Sequence, residues 1–410
     1  MTNIDHILED SFKADWGPSV AYMLRVCGDI SLAEECVQSA FESAFKAWKD
    51  NMPDNTGAWI RKTARNRFID SARANKVHST AHEMIKQTSN NNDIAHDTSV
   101  LDDELSLIFL CCHPAISPKD QVILVLRLIG GLKPYEIGKA FDHHEEAIRS
   151  RLLRAKRKMK AAKISTTLPD AEDLSRRVRQ VLAAIYLIYN EGYRASRNAT
   201  QQRADLAFEA ISLAARFCRY MPKLAEAHGL MALILLGEAR RPARFNDGML
   251  IPLEEQNRNL WDRNLIKAGL FHVQNAQNIN ADSKLDAGIY LLQAAIAAHH
   301  STSIEFSQTN WSEITTCYDQ LLKLHSSEMF ALNRIAAASY VNDANSSYAA
   351  LDIWEVNNGE KAQSCAIRAD IARRDGNKNC AQVHYEKAIL LEPDEGIKRF
   401  LLSRIDELSS

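Results

Sequence analysis

Glycine and proline are scarce in this chain, at 15 and 10 of 410 residues. No stretch strings β-branched residues in period two over several strands, so nothing calls for a sheet protein with many turns. Eight cysteines are scattered along the length, and none forms a CxxC pair. That count does not suit a disulfide scaffold in a chain this long, and it reads as the reduced thiols of a cytosolic protein. No apolar run reaches the ~20 residues needed to span a bilayer. The opening MTNIDHILEDSF has neither the basic start nor the apolar core of a signal peptide. The expectation is a soluble, cytoplasmic protein with no membrane partner. Charge of one sign is also missing. Fifty Lys and Arg face 52 Asp and Glu, for a formal net charge of −2. Any affinity for nucleic acid must therefore come from local patches. There is no Gly-rich phosphate loop, no GxSxG and no HExxH, so no catalytic residues, metal or cofactor are assigned and an enzyme is not expected.

What is present is a 46% hydrophobic chain rich in Ala, Leu, Glu and Lys, enough for two to four domains of an all-α protein. Residues 1–77 read as a first helical block. Ser31 and Glu34 fit a capping box at a helix start. Ala33, Val37, Ala40, Phe41, Ala44 and Trp48 then fall on one stripe, with Glu34, Glu35, Gln38 and Glu42 on the other side. That acidic-amide face suits docking of a basic partner helix; by itself it reads as an ordinary solvated face. The next helix, about 56–76, buries Ile60, Ala64, Phe68 and Ala72 at four-residue spacing. It shows Arg61, Lys62, Arg65, Arg67, Arg73 and Lys76 outside. Cations interleaved with Trp59, Asn66 and Phe68 suit melted DNA, whose bases can stack on aromatic rings; the plainer reading puts Trp59 and Phe68 in the core.

Residues 78–100 are polar with an Asn run and read as a flexible linker. A second block spans 101–164. Ser117 and Pro118 mark a helix start and Gly130-Gly131 an end. Leu132 to Lys160 then shows a short apolar helix, a polar break at Asp142-His143-His144, and a basic helix, the layout of a helix-turn-helix. In the last helix Ile148, Leu152, Ala155 and Met159 face the core. Arg149, Arg151, Arg154, Lys156, Arg157 and Lys158 do not, and can pair with guanine edges or neutralise phosphates. Glu145 and Ser150 can touch bases too. The vicinal Cys111-Cys112 read as buried structural thiols, because neighbours on a helix point apart. From 165 to 410 amphipathic helices recur in pairs. The clearest pair is Cys365 to Pro393, where Ala369, Gly376, Ala381, Tyr385, Ala388 and Pro393 have tetratricopeptide spacing. Arg240, Arg241 and Arg244 form a basic bend, expected to pair internally with Glu254 and Glu255.

Three stretches in order, AEECVQSAFESAFKAW at 33–48, GAWIRKTARNRFIDSAR at 57–73 and the segment Pro118 to Lys160, resemble a bacterial sigma factor of the extracytoplasmic-function (ECF) type within the sigma-70 superfamily. DDELSLIFLCCHPAIS at 102–117, with IYNEGY at 188–193, EARRPAR at 238–244 and LEEQNRNLWD at 253–262, resembles the subgroup with a C-terminal tetratricopeptide-like extension. The resemblance implies core RNA polymerase and promoter DNA as partners. It implies Glu34, Glu35, Gln38 and Phe41 at the polymerase clamp, and Trp59, Arg61, Lys62, Arg65, Asn66 and Arg73 at the −10 element. The set from Glu145 to Lys158 would lie at the −35 element. A helical-repeat surface fused to DNA-reading blocks leads to the further expectation that the extension is a built-in regulator, gating polymerase or promoter binding or receiving a protein signal. The alternative is a free-standing helix-turn-helix regulator whose repeats act as a sensor.

Overall fold

The computed structural model describes residues 3–74, 97–162, 168, 171–194, 201–246 and 249–409. They form two compact units, Met1–Gly192 with Gln201–Tyr220, and Tyr193–Thr200 with Met221–Ser410. Among the described residues, regular structure is helical except for one short antiparallel ribbon in the second unit. The expected all-α class with helix-turn-helix and helical repeats is what is found.

The first unit opens with α1 (Asn3–Cys27), α2 (Ile30–Ala47) and α3 (Thr56–Ala74), each packed against the other two. The stripe read from the sequence is the buried face of α2: Ala33, Val37, Ala40, Phe41 and Ala44 are all in the core. Phe41 meets Phe12 and Trp16 in an aromatic cluster, with ring centroids 5.0 and 6.1 Å away. The capping box does not form. Asp29 is the cap, accepting from the amides of Ser31 and Leu32. Both residue types cap well, and Glu34 is drawn into a tertiary contact described below. The linker expected over 78–100 lies mostly outside the described residues, and its end is corrected: α4 (Asp97–Cys111) is already helical at 97–100.

The second block is α4, α5 (Pro118–Leu128), α6 (Pro134–Ala140) and α7 (Glu145–Ala161). Ser117 caps α5 through the amide of Asp120, with Pro118 in its first turn. The chain reverses at Gly131 (φ +73), where a Cβ would stand 2.7 Å from the Phe12 ring. The break between α6 and α7 passes through Asp142 in the left-handed region (φ 56). The amide of His143 closes that turn on the carbonyl of Gly138 at 2.8 Å. Gly138 has room for no side chain, since a Cβ there would lie 2.6 Å from the carbonyl oxygen of His143. Cys111 and Cys112 are buried, and burial pushes the Cys112 thiol up to about 12, as expected of structural thiols.

Two further helices complete this unit, α8 (Ala171–Arg194) and α9 (Gln201–Tyr220). The sequence opens the extension at 165, whereas the structure packs these helices into the first unit. Buried Arg177 donates to the carbonyl of Phe109 at 2.8 Å. Phe217 meets Phe109 edge to face at 6.3 Å. Arg216 pairs with Glu104 at 2.9 Å, and the Tyr220 hydroxyl donates to the same carboxylate.

The second unit runs α10 (Ala225–Ala239), β1 (Phe245–Asn246), β2 (Met249–Leu250), α11 (Arg263–Ser283), α12 (Ile289–Thr302), α13 (Trp311–Leu324), α14 (Glu328–Ala338), α15 (Ala344–Asn358), α16 (Ala362–Arg374), α17 (Lys378–Leu391) and α18 (Glu395–Ser409). Its cores are shared between successive helices: α10 to α12, then α12 to α14, α14 to α16, and α16 to α18. That nearest-neighbour pattern is the physics of a helical repeat. The expected unit is α16 and α17, with Ala369, Ala381, Tyr385 and Ala388 buried and Gly376 at φ +79 in the turn. The ribbon is the exception to the all-helical expectation. An Asp-Gly pair, the dipeptide most favoured between closely spaced antiparallel strands, stands between its strands in the sequence.

Candidate polymerase and nucleic-acid interface

The α3 surface is built from its core face outward. Asn55 accepts from the amide of Ala58 at 2.9 Å, and Thr56 donates to Asp15 of α1 at 2.8 Å, which starts and seats the helix. Ile60, Ala64 and Phe68 are buried. Lys62, Asn66, Arg67 and Arg73 are exposed; Arg61 and Arg65 are half-buried. Asp70 lies 3.9 Å from Arg73, and both side chains are largely in water, where such a pair is weak. Trp59 is half-buried and packs edge to face on buried Trp48 at 5.6 Å, so one side of its ring is spent on the core.

The recognition helix α7 buries Ile148, Leu152, Ala155 and Met159, as its periodicity requires. Its cations are not equivalent. Arg154, Arg157 and Lys158 are exposed and form no ion pair among the described residues. Ser150 is exposed beside them. Arg149 is held by Glu145 one turn back. Arg151 pairs with Asp120 at the start of α5 at 2.9 Å. Lys156 is half-buried and donates to Glu34, and Lys160 donates to Asp29 at 2.8 Å.

Those last two contacts join the recognition helix to α2. Glu34, 8% exposed, sits at the centre of the seam: one carboxylate oxygen takes Arg127 and the other takes Lys156. Arg127 also lies over the Trp16 ring, 5.1 Å from its centroid, and its carbonyl accepts from Trp16 Nε1 at 3.1 Å. Asp103 of α4 pairs with Arg25 of α1 at 2.8 Å on the same side. The Lys160 ammonium beside Asp29 holds that carboxyl below its usual range. Of the four residues assigned to the clamp, Glu35 and Gln38 are exposed, while Glu34 is in the seam and Phe41 in the core. Arg127, Asp29 and Asp120 were not foreseen. Arg127 carried a signal, as the one charge in VILVLRLIG, an otherwise apolar run that calls for a buried partner.

Comparison with known proteins agrees with this layout. Residues 17–98 match sigma-70 region 2 and residues 106–159 match sigma-70 region 4. Residues 177–277 match a family of unknown function, DUF6596. The uncharacterized protein R00370 of Rhizobium meliloti (strain 1021) is 32% identical over 403 residues, 95% of this chain and 92% of that protein. The probable ECF RNA polymerase sigma factor SigI, from two strains of Mycobacterium tuberculosis, is 27% identical over 172 residues, 40% of this chain and 59% of that protein. The chain belongs to the ECF type of the sigma-70 family of RNA polymerase sigma factors, and it carries a helical C-terminal extension.

Proposed function

We propose that this sigma factor brings core RNA polymerase to promoters by reading two DNA elements with two different helices. Trp59, Arg61, Lys62, Arg65, Asn66 and Arg73 of α3 engage the −10 element as it melts. Arg149, Ser150, Arg151, Arg154, Lys156, Arg157 and Lys158 of α7, with Glu145, hold the −35 duplex. Glu35 and Gln38 meet the polymerase clamp first; Phe41 shapes that face from beneath, and Glu34 joins once released from Lys156. The observation that carries the reading is the pair of basic helix faces, α3 and α7, presented outside well-packed cores within one unit. Cations set for phosphate contact supply affinity, and Arg154 with Ser150 supplies base readout.

Glu34 and Lys156 neutralise each other, so clamp contact by one and phosphate contact by the other both require the seam to open. The extension then controls when the sigma factor acts, either by gating polymerase or promoter binding or by receiving a protein signal on its repeats. In vitro transcription with core polymerase on a promoter library tests the first part: output should need core enzyme and fall on substitution in either helix. Tight, sequence-specific duplex binding without polymerase, with no transcription in its presence, would favour the free-standing regulator. Truncation after Tyr220 tests the second part better than truncation near 168, because α8 and α9 cover Phe109 and Glu104 in the first unit. Unchanged promoter output under every condition would remove the regulatory role.

A further inference from the structure

The basic bend at 240–244 does not pair as its sequence suggests. Glu254 is taken by Arg373 and Arg404, and Glu255 by Arg404. Arg241 takes Glu238 at 2.6 Å. Arg240, just past α10, and Arg258, in the short turn Arg258–Leu260, form no ion pair among the described residues. Arg258 lies over the Trp261 ring, 4.5 Å from its centroid. It donates through Nη1 to the carbonyls of His300 and Ser303 at 2.8 and 2.7 Å. Its Nη2 is buried without a partner, and so are Arg240 Nε, His300 Nδ1 and Trp261 Nε1. Trp261 is only 3% exposed.

These nitrogens belong to one electrostatic neighbourhood. Burial, then Arg240 and Arg258, push the His300 imidazole down to about 3. Burial and Arg240 also push the Arg258 guanidinium below its ordinary value. Proteins rarely leave several buried donor nitrogens unsatisfied together, and these two guanidiniums are half-buried without a counter-charge among the described residues. His300 further lines a cavity of about 590 Å³, a size typical of small-molecule sites. Its walls include Phe306 and the stacked pair Trp311 and Tyr340, 4.1 Å apart at 11°. The acids in the cavity wall already have arginine partners: Glu254 has Arg373 and Arg404, and Asp370 has Arg373 and Arg374. Arg240 and Arg258 lie behind this lining and adjoin it at His300, whose carbonyl Arg258 contacts and whose ring meets Trp311 edge to face at 5.3 Å.

We propose that the C-terminal unit binds a small organic anion, with its carboxylate or phosphate on Arg240, Arg258 and His300 and its apolar body against Phe306, Trp311 and Tyr340. Two guanidiniums give the bidentate, charge-assisted bonding that either head group accepts. The imidazole, neutral at pH 7, still donates through one nitrogen.

The test uses the full-length protein with benzoate, phenyl phosphate, inorganic phosphate and the neutral benzamide, at one ionic strength set with chloride. Calorimetric titration and tryptophan fluorescence should show saturable binding of benzoate or phenyl phosphate, and none of benzamide at equal concentration. Whichever binds tighter assigns the head group. Arg240→Gln should weaken binding about tenfold or more, the cost of one charge-assisted hydrogen bond. Trp311→Leu should weaken the aromatic anions and leave inorganic phosphate unchanged. Arg258→Gln also gives up two carbonyl contacts; if it fails to fold, Arg240, whose guanidinium makes no hydrogen bond among the described residues, decides alone. The proposal is overturned if no anion binds saturably below roughly 10 mM, if benzamide binds as well as benzoate, or if Arg240→Gln binds as the wild type does.

Discussion

The two basic helices, α3 and α7, have similar charge in the sequence and different freedom in the structure. Arg61 and Lys62 of α3 form no ion pair with another helix among the described residues. On α7 two cations of the C-terminal half are tied to α2 and its cap, Lys156 to Glu34 and Lys160 to Asp29, while Arg157 and Lys158 between them are not. A row of Lys and Arg on a solvated face is therefore not one surface. Its members divide by what acid the fold brings within reach, and a tied cation must first lose a partner before it meets phosphate. On the reading proposed above, Arg61 and Lys62 of α3 can meet DNA without first leaving an acid, and on α7 the same holds for Arg154, Arg157 and Lys158.

The sharpest way to break the contrast is to remove the acid that creates it. Glu34→Ala leaves Arg127 and Lys156 half-buried without their carboxylate. Loss of one partner of a buried pair costs about 3–5 kcal/mol, and the partners' residual exposure of 11–16% puts this seam near the lower figure. Chemical denaturation should show that loss in the first unit's transition. A change below about 0.5 kcal/mol, the usual range for a surface position, would mean that the seam does not hold the two blocks. The opposite signature belongs to α3. Arg61→Ala with Lys62→Ala should reduce transcription with core polymerase by roughly ten- to a hundredfold, and flatten its salt dependence, at nearly unchanged stability. A stability loss as large as that of Glu34→Ala would show that this face is structural and erase the difference between the helices.

Much of this arrangement was legible because it is local. The α2 stripe, the Ser117-Pro118 start, the turn at Asp142 and the buried face of α7 follow from period 3.6 and cap chemistry. Phe41 shows how a functional assignment strains against that logic. It lies on the same stripe as Ala33, Val37 and Ala40, so the periodicity that defined the helix also buried it. What stayed hidden depends on contacts far apart in sequence. Ser31 with Glu34 is a sound capping box until Arg127 and Lys156, 93 and 122 residues away, claim the carboxylate. Likewise α8 and α9 look like the first helices of the extension until Arg177 and Arg216 find Phe109 and Glu104. Periodicity says which face is buried and is silent about what buries it.

Within α7 the division itself can be tested with a smaller effect. Arg154→Ala, at an exposed and untied position, should weaken −35 duplex recognition by about tenfold and relax specificity at one base pair. Lys160→Ala, at the tied end, should leave that recognition nearly unchanged. Promoter-variant transcription reads both, and equal losses would mean that the tie to α2 does not sort the cations.

The weakest link, Asp29 with Lys160, sets the finest test, because here the sign of the pH dependence is fixed. The Asp29 carboxyl is held below its ordinary value, first by Lys160, so its contribution is present above the unfolded value of about 3.9 and disappears as pH falls through the folded one. Asp29→Asn keeps an oxygen to cap α2, since Asn and Asp cap about equally well, and removes only the charge. The wild type should therefore melt slightly higher than the variant at pH 6, and the gap should narrow as pH falls below about 3.9. Added salt at pH 6 should shrink the same gap, because Lys160 is exposed and such pairs are screened. A gap that persists undiminished at pH 3 would mean that Asp29 acts through the cap and not through the recognition helix. Glu34 would then be the acid that ties the recognition helix to α2.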